Sequence, residues 1–274
     1  MTLNGAVCVV TGAARGLGKA IADALASQGA QVALVDILAD ELAACASEMV
    51  AKGHRVLAVT TDVTDPRAVA DMARHVEQEL GPPRVLINNA GTFSVIGPVW
   101  EADPEKWFRD IRVNVYGTFL CSRAIVSGMV ERGHGYVVNV ASGGGVSDAH
   151  AYSTSYACSK TAVLRLTEGL AKETEQHGVK VFAIGPPAVR TSMTEFIATD
   201  PDARRWRPGF EDSYWHSPAC VTDAILALLS GGLDQLTGRF IRLPVDPDEL
   251  MAQVERIVED DLLTLRVRYL ESAR

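Results

Sequence analysis

The chain contains a tyrosine and a lysine, Tyr156 and Lys160, spaced four residues apart. Residues at this spacing lie on the same face of an α-helix. A free tyrosine has a pKa of about 10 and is a poor base at neutral pH, but a neighbouring cation stabilises the phenolate. The pair therefore predicts a general acid/base. Because solvated pairs on helix surfaces often show the same spacing, the prediction needs support from other residues.

Further polar side chains follow the predicted strands. Ser142 ends a strand fourteen residues before Tyr156, where its hydroxyl could hydrogen-bond and polarise a substrate oxygen. Asn114 supplies another polar group from a helix, and Asn89 lies at the end of another strand. In a parallel doubly wound sheet, the carboxyl ends of all strands open on one crevice. We therefore expect these side chains to converge there.

The first predicted strand runs through a glycine-rich turn directly into a helix. Glycines in such a turn let backbone amides approach a pyrophosphate, whose charge is met by the helix N-terminus. The turn by itself is weak support for a dinucleotide site, because glycine-rich turns occur in many folds. The residues that it assigns to a cofactor are Thr11, Gly12, Arg15, Gly16, Leu17 and Gly18.

An aspartate ends the second predicted strand, eighteen residues beyond the last glycine of the turn. The Asp36 carboxylate could accept hydrogen bonds from ribose hydroxyls and would repel a 2′-phosphate, which favours NAD over NADP. Arg15 is a cation and would favour NADP instead, but Ile37 offers no guanidinium for a phosphate. Asp62 and Val63, after the third strand, could face the adenine. Either aspartate could instead cap the helix that follows it.

The elements that position these residues follow a repeating pattern. Short β-branched runs alternate with longer helical patterns, which predicts βαβ units. The runs are almost continuously apolar, as expected where helices cover both faces of a parallel sheet. The predicted fold is α/β, a Rossmann-type doubly wound parallel sheet in a three-layer αβα sandwich. The predicted strands cover residues 6–12, 31–36, 55–63, 84–91, 135–142, 179–185 and 238–244.

No repeat or Ser/Gly-rich linker divides the chain, so residues 1–245 are predicted to form one dinucleotide-binding catalytic domain. Residues 191–217 are irregular and rich in aromatic and basic side chains, which is typical of a functional loop, here for substrate. Residues 246–274 are predicted to form a C-terminal helical extension of the domain, docked on the domain itself or on a neighbouring subunit. Its roughly periodic apolar residues are Leu250, Val254, Ile257, Leu262 and Leu265.

Composition narrows the possible partners. The 274 residues are 47% hydrophobic, enough for a sizeable core. The 26 basic and 34 acidic residues give a net charge of −8, which argues against nucleic acid or an anionic membrane as a partner. The five cysteines show no CxxC pair or metal-ligand spacing, so we expect no metal, reduced thiols in a cytoplasmic protein, and a buried Cys158. No apolar run approaches the ~18 residues of a membrane span. The charge balance favours a small molecule as the partner.

The motifs TGxxxGxG, NNAG, a serine and YxxxK occur in this order within residues 3–243. Together they resemble those of the short-chain dehydrogenase/reductase family in its compact form. The resemblance implies that Tyr156 is the catalytic base, that Lys160 tunes its pKa and binds the nicotinamide ribose, and that Ser142 pairs with the substrate oxygen. It also implies that Asn114 holds a water in a proton relay. The NNAG residues assigned to the cofactor are Asn89, Ala90 and Gly91.

The resemblance implies a seven-stranded sheet and homodimers or homotetramers, commonly built on long helices that start near Trp107 and Ala151. One departure from the family pattern follows the sixth strand, where Pro187 replaces the usual glycine. Proline fixes φ near −65° and has no amide donor, so this loop should be stiffer. The residues expected to hold the cofactor here are Pro186, Val189 and Thr191.

The substrate is less well defined than the reaction. The residues predicted to contact it are Ser142, Phe93, Tyr152 and Trp206. Aromatic side chains could cover a cyclic or hydrophobic alcohol. A run of arginines could bind a carboxylate or phosphate, or could form a solvated face. The run consists of Arg204, Arg205 and Arg207.

These observations predict an NAD-dependent oxidoreductase that interconverts a secondary alcohol and a ketone by hydride transfer, with Tyr156 as general acid/base. Two alternatives stay open. One is an NADPH-dependent carbonyl reductase, against which Asp36 argues. The other is a non-catalytic NAD-binding sensor, which would have no need of Ser142, Tyr156 and Lys160 together.

Overall fold

The computed structural model describes residues 1–146, 151–210 and 215–267. Within these ranges, seven parallel strands form one sheet in the order β3-β2-β1-β4-β5-β6-β7. This arrangement confirms the predicted Rossmann-type fold, because the strand order reverses direction beside β1 as in other doubly wound sheets. The strands are β1 (Val7–Thr11), β2 (Gln31–Asp36), β3 (Val56–Thr60), β4 (Val85–Asn88), β5 (Gly135–Val140), β6 (Val179–Gly185) and β7 (Phe240–Arg242).

Helices cover both faces of the sheet, which explains why the strands carry apolar residues at nearly every position. On one face, Ile21, Leu34 and Phe182 belong to a large buried cluster. On the other face, Met72 and Met129 belong to a second cluster. The helices are α1 (Gly16–Ser27), α2 (Ala39–Ala51), α3 (Pro66–Leu80), α4 (Pro104–Ile111), α5 (Thr118–Arg132), α6 (Thr154–Glu173), α7 (Ser192–Thr199), α8 (Pro201–Trp206), α9 (Ala219–Ser230), α10 (Pro247–Ala252) and α11 (Val254–Glu259).

Helices α4 and α5 are joined without a break by a π-helical turn over Arg112–Gly117. The wider turn frees the Asn114 carbonyl oxygen, which accepts a hydrogen bond of 2.7 Å from Thr118 Oγ1. By length and composition alone, the combined helix Pro104–Arg132 could cross a membrane, but half of its apolar window is buried inside the protein. It also carries the buried polar residues Asp110 and Asn114. These properties are typical of a core helix in a globular protein.

The predicted irregular loop at 191–217 is partly helical, which corrects the sequence prediction. Helix α7 is capped by Thr191, and α8 by Asp200, whose carboxylate accepts hydrogen bonds from the first-turn amides. A proline at the first position of α8 completes a common helix start. These capping signals are short, and the aromatic and basic content around them masks the helical pattern.

Within the described residues, the C-terminal extension contains two short helices, and the second ends at Glu259, so the periodic apolar pattern up to Leu265 does not form one helix. Leu250, Val254 and Ile257 are buried in the main core cluster. Beyond them the chain turns through residues with positive φ and packs beside the edge strand, where Phe240 N–H donates to the Leu263 carbonyl at 2.9 Å. Through residue 267, the extension therefore docks on its own domain.

Candidate active site

The carboxyl ends of the central strands open on a cavity of about 1060 Å³. This volume is at the upper end of the range for ligand sites in proteins. The cavity is lined by all but one of the residues that the sequence assigns to a cofactor. Those lining residues are Gly12, Arg15, Gly16, Leu17, Gly18, Asp36, Asp62, Val63, Asn89, Ala90, Gly91, Tyr156, Lys160, Pro186, Val189 and Thr191.

The glycine-rich turn is closely packed against the neighbouring loop. Gly12 has a positive φ of 66°, and a Cβ there would lie 2.9 Å from the Ala90 Cα. A Cβ on Gly18 would lie 2.0 Å from the Gly12 carbonyl oxygen. Arg15, at the start of α1, makes no side-chain hydrogen bond to cap that helix. The first amides of α1 therefore remain available to an anion at the cavity, which fits a pyrophosphate group.

Thr11 is the assigned cofactor residue that does not line the cavity. Its hydroxyl is buried and accepts hydrogen bonds of 3.0 Å from both Asn89 N and Ala90 N. The side-chain amide of Asn89 in turn donates a hydrogen bond of 2.9 Å from Nδ2 to the Thr11 carbonyl. Thr11 therefore ties the ends of β1 and β4 together, and its assignment to the cofactor stays a prediction.

Asp36 lies at the cavity edge with both carboxylate oxygens in use. Oδ2 accepts a hydrogen bond of 3.0 Å from Ala14 N, and Oδ1 accepts one of 3.1 Å from Leu38 N. A carboxylate oxygen can accept a further hydrogen bond, so these contacts orient Asp36 without exhausting it. Arg15, the opposing cation, pairs with Glu41 at 3.2 Å. The second aspartate, Asp62, accepts two hydrogen bonds of 2.8 Å within its own turn.

Tyr156 and Ser142 both line the cavity, and the two side chains are close enough for Ser142 to lower the pKa of Tyr156. The ring of Tyr156 stacks on Phe93, with the centroids 4.5 Å apart. Burial raises the pKa of Tyr156, and the negative charge of Asp110 raises it further, whereas the Ser142 hydrogen bond and the charge of Arg207 lower it. The resting phenol is therefore protonated, and Ser142 and Arg207 favour its ionised form.

Lys160 is buried one helical turn beyond Tyr156, and its ammonium group hydrogen-bonds to the backbone at the end of β5. Nζ donates a hydrogen bond of 2.8 Å to the Val140 carbonyl and lies 5.6 Å from the centroid of the Tyr156 ring. Burial lowers the pKa of Lys160 to about 8. The predicted lowering of the Tyr156 pKa by Lys160 stays a prediction.

Asn114 is buried in the π turn and uses its side-chain amide within the protein. Nδ2 donates to the Thr92 carbonyl and to Ser159 Oγ, both at 2.9 Å, and Oδ1 accepts from Thr92 N at 2.7 Å. These contacts join the loop after β4 to helix α6. The predicted role of Asn114 in holding a water stays a prediction.

Asp110 is a functional residue that the sequence analysis missed. It is fully buried, and its carboxylate accepts hydrogen bonds from Thr92 Oγ1 at 2.9 Å, Ser94 N at 2.9 Å and Ser155 Oγ at 2.6 Å. A buried carboxylate requires such compensation. The available signal was its position four residues before Asn114, which puts both side chains on one helix face.

The predicted substrate residues fall into two groups. Ser142 and Phe93 line the cavity. Tyr152 and Trp206 do not line it. Their rings contact each other in a tilted arrangement, with centroids 4.6 Å apart. Arg207, from the arginine run, does line the cavity. The contacts of these residues with substrate stay predictions. We now expect substrate contacts mainly from Ser142, Phe93 and Arg207, which line the cavity.

Two features near the site differ from expectation. Cys158 is exposed rather than buried, because it lies on the outward face of α6. Thr191, expected to hold the nicotinamide carboxamide, caps α7 through its hydroxyl in a reciprocal contact with Thr194. Pro187 lines the cavity beside it. Among residues 1–146, 151–210 and 215–267, no group of three or more His, Cys, Asp or Glu side chains could hold a metal.

Comparison with known proteins adds four findings. Residues 6–202 match the family described as short chain dehydrogenase. Short chain dehydrogenase mpl6 from Monascus purpureus is 34% identical over 273 residues, covering 96% of this chain and 89% of that protein. Gluconate 5-dehydrogenase from Gluconobacter oxydans (strain 621H) is 34% identical over 207 residues, covering 75% of this chain and 79% of that protein. The solved structure of gox2181 has a TM-score of 0.80 and 26% identity, covering 88% of this chain and 94% of that one.

Proposed function

Because the chain belongs to the short-chain dehydrogenase/reductase family, whose members use NAD or NADP, we propose that it is an NAD-dependent enzyme that interconverts a secondary alcohol and a ketone. The observation that carries the proposal is that Ser142 and Tyr156, two residues with hydroxyl groups, both line the wall of the cavity. The pair offers both a hydrogen-bond donor and a proton acceptor for one substrate oxygen.

The residues around the cavity fit a dinucleotide. The turn from Gly12 to Gly18 and the first amides of α1 would hold the pyrophosphate, and Asp36 would hold the adenosine ribose. Lys160 would bind the nicotinamide ribose. The ion pair between Arg15 and Glu41 supports NAD over NADP, because it engages the cation that a 2′-phosphate would need.

When bound, NAD supplies an acceptor for the hydride of the substrate carbon. In the oxidation, Ser142 donates a hydrogen bond to the substrate oxygen, and ionised Tyr156 removes the hydroxyl proton. In the reduction, neutral Tyr156 returns that proton to the carbonyl oxygen. Oxidation therefore requires the phenolate and reduction requires the phenol, so the pKa of Tyr156 sets opposite pH dependences for the two directions.

The test is spectrophotometric. Purified protein is mixed with NAD or NADP and a panel of cyclic alcohols, sugars, hydroxy acids and steroids, and reduced nicotinamide is followed by absorbance. We expect reduction of NAD with one class, and a fall in kcat of about 100-fold or more in Tyr156→Phe with NADH binding retained. Tyr116→Phe removes an exposed hydroxyl outside the cavity and serves as the control. Unchanged turnover in Tyr156→Phe would remove the proposed base.

The cofactor preference has its own test. Asp36→Ser should lower the ratio of kcat/KM with NAD to that with NADP by about tenfold, because it removes a charge-assisted hydrogen bond and a repulsive charge. A preference for NADP in the unaltered protein would contradict the proposal and favour an NADPH-dependent carbonyl reductase. Binding of NAD without turnover of any alcohol would favour the sensor.

We propose further that the enzyme is a cytoplasmic homodimer or homotetramer that acts on a small molecule. Exposed aromatic residues on the α4–α5 helix support an interface between copies, since Phe108 is 53% and Phe119 43% exposed. The ring of Phe119 stacks on that of Tyr116, with centroids 6.1 Å apart. Light scattering should give a dimer or tetramer mass for the unaltered protein and a lower mass for Phe119→Glu. A monomeric unaltered protein would contradict this assembly.

A further inference from the structure

The three arginines between Arg204 and Arg207 have different surroundings. Arg204 and Arg205 lie on the exposed side of α8, and the Arg205 guanidinium stacks over the Trp206 ring at 4.7 Å. Helix α8 ends at Trp206, so the chain changes direction immediately before Arg207. Arg207 is half-buried and lines the cavity. Only this member of the run is therefore placed to meet a ligand of the cavity.

The contacts of Arg207 leave its charge unpaired. The guanidinium lies 5.8 Å from the centroid of the Phe210 ring, and Nη1 makes a long hydrogen bond of 3.4 Å to Ser153 Oγ. Within the described ranges, no carboxylate lies within ion-pairing distance of Arg207, although other surface arginines have such partners. Among the lining residues from Pro186 to Phe210, Arg207 carries the only formal charge.

Among the described residues, Arg207 therefore has no counter-ion. A half-buried cation in this state is unfavourable, because burial removes part of its hydration. The Tyr156 phenol is near enough to interact electrostatically with Arg207, but burial keeps the resting phenol neutral. It therefore supplies no negative charge before the reaction. An anionic group on the ligand would supply the missing charge.

We propose that Arg207 binds a carboxylate of the substrate while Ser142 and Tyr156 hold its reacting oxygen, so that the substrates are a hydroxy acid and the corresponding keto acid. The planar guanidinium matches a carboxylate in a two-bond contact. One cation can balance the single charge of a carboxylate. The proposal rests on the oxidoreductase function proposed above.

Apolar side chains line much of this side of the cavity. Phe93 covers Tyr156, and Phe210 lies beside the guanidinium. Met193, Phe196 and Ile197 also line the cavity. The body of the substrate between its carboxylate and its hydroxyl is therefore apolar, as in a cyclic or branched aliphatic acid.

The test uses unreactive probes, so that Tyr156 chemistry does not enter. Protein is first titrated with NADH and then, when saturated, with cyclohexanecarboxylate or cyclohexanecarboxamide in a calorimeter. The two probes have similar shape and differ in charge. We expect the carboxylate to bind about 10- to 100-fold more tightly, the range for hydrogen bonds to a charged group. Arg207→Met should abolish the difference, and Arg205→Met, the matched control on the exposed side, should keep it.

The outcomes separate the two proposals. If the protein binds NADH but binds the two probes with equal affinity, or binds neither measurably, the carboxylate site is overturned. The oxidoreductase proposal then stands. A preference for the carboxylate that persists in Arg207→Met assigns the anion to another residue and also overturns it. Failure to bind NADH overturns both proposals. Retained NADH affinity in Arg207→Met shows that the variant is folded.

Discussion

At the scale of single residues, the chemistry of the site depends on the groups from different segments that shift the pKa of Tyr156. Ser142 follows β5, Asp110 comes from α4, and Arg207 follows α8. Ser142 and Arg207 favour the phenolate, whereas burial and Asp110 favour the phenol. The balance between these opposing effects sets the pH at which Tyr156 can accept a proton.

Asp110→Asn tests this balance. Oxidation requires the phenolate, so its rate rises with pH through the pKa of Tyr156. Because the charge of Asp110 raises that pKa, its removal lowers the pKa, and the rising limb of kcat/KM for oxidation moves to lower pH. The pH profile of oxidation is the measurement. Asp71→Asn, which alters an exposed ion pair on α3, should leave the profile in place.

Asp110→Asn should also lower the free energy of unfolding by about 2 kcal/mol, because an amide cannot replace a carboxylate that accepts from three donors. Denaturant unfolding measures this loss. A profile that stays in place, or moves to higher pH, would show that Asp110 does not act on Tyr156 through its charge, whatever the change in stability.

At the scale of elements, the site is built where parallel strands end and their connecting loops meet. The β1–α1 turn and the loop after β4 are locked together by Thr11 and Asn89. The turn itself was evident in the sequence, since glycine is the residue that tolerates both positive φ and close backbone approach. The hydrogen bonds between Thr11 and Asn89 were not evident, because a threonine in a strand has the same local pattern whether its hydroxyl contacts a ligand or another loop.

Gly18→Ala should reduce NADH affinity by about 100-fold, because a Cβ 2.0 Å from the Gly12 carbonyl forces the turn open. Fluorescence titration with NADH measures the effect. Gly169→Ala is the matched control: it lies within α6 with no atom in reach of the added Cβ, and should bind NADH normally. It should also stabilise the helix by up to about 1 kcal/mol. Normal NADH affinity in Gly18→Ala would contradict the role of the turn.

At the scale of the whole molecule, the C-terminal extension is part of the core. Leu250, Val254 and Ile257 join a cluster that includes residues from β1 and α1. Arg266 further pairs with Glu168 of α6 at 2.7 Å. The periodic apolar residues indicated that the extension would dock, but the surface that receives them is assembled from distant segments and could not be read from spacing.

Ile257→Ala should lower the free energy of unfolding by about 2–4 kcal/mol, the cost of removing a large aliphatic side chain from a packed core. Val258→Ala, at the neighbouring position that is 40% exposed, should change it by less than about 0.5 kcal/mol. Denaturant unfolding of both variants gives the comparison. Equal small effects would mean that the extension is only loosely attached to the domain.

The sequence by itself determined the fold class, the order of the first elements and the residues Ser142, Tyr156 and Lys160. These depend on local patterns, namely apolar runs, glycine positions and helical spacing. The tertiary structure alone decided that Asp110 is close enough to Tyr156 to raise its pKa, that Arg207 lines the cavity, and that Tyr152 and Trp206 contact each other. The physical reason is that burial, charge pairing and ring stacking arise between residues far apart in the chain, such as Asp110 and Ser155, which are 45 positions apart.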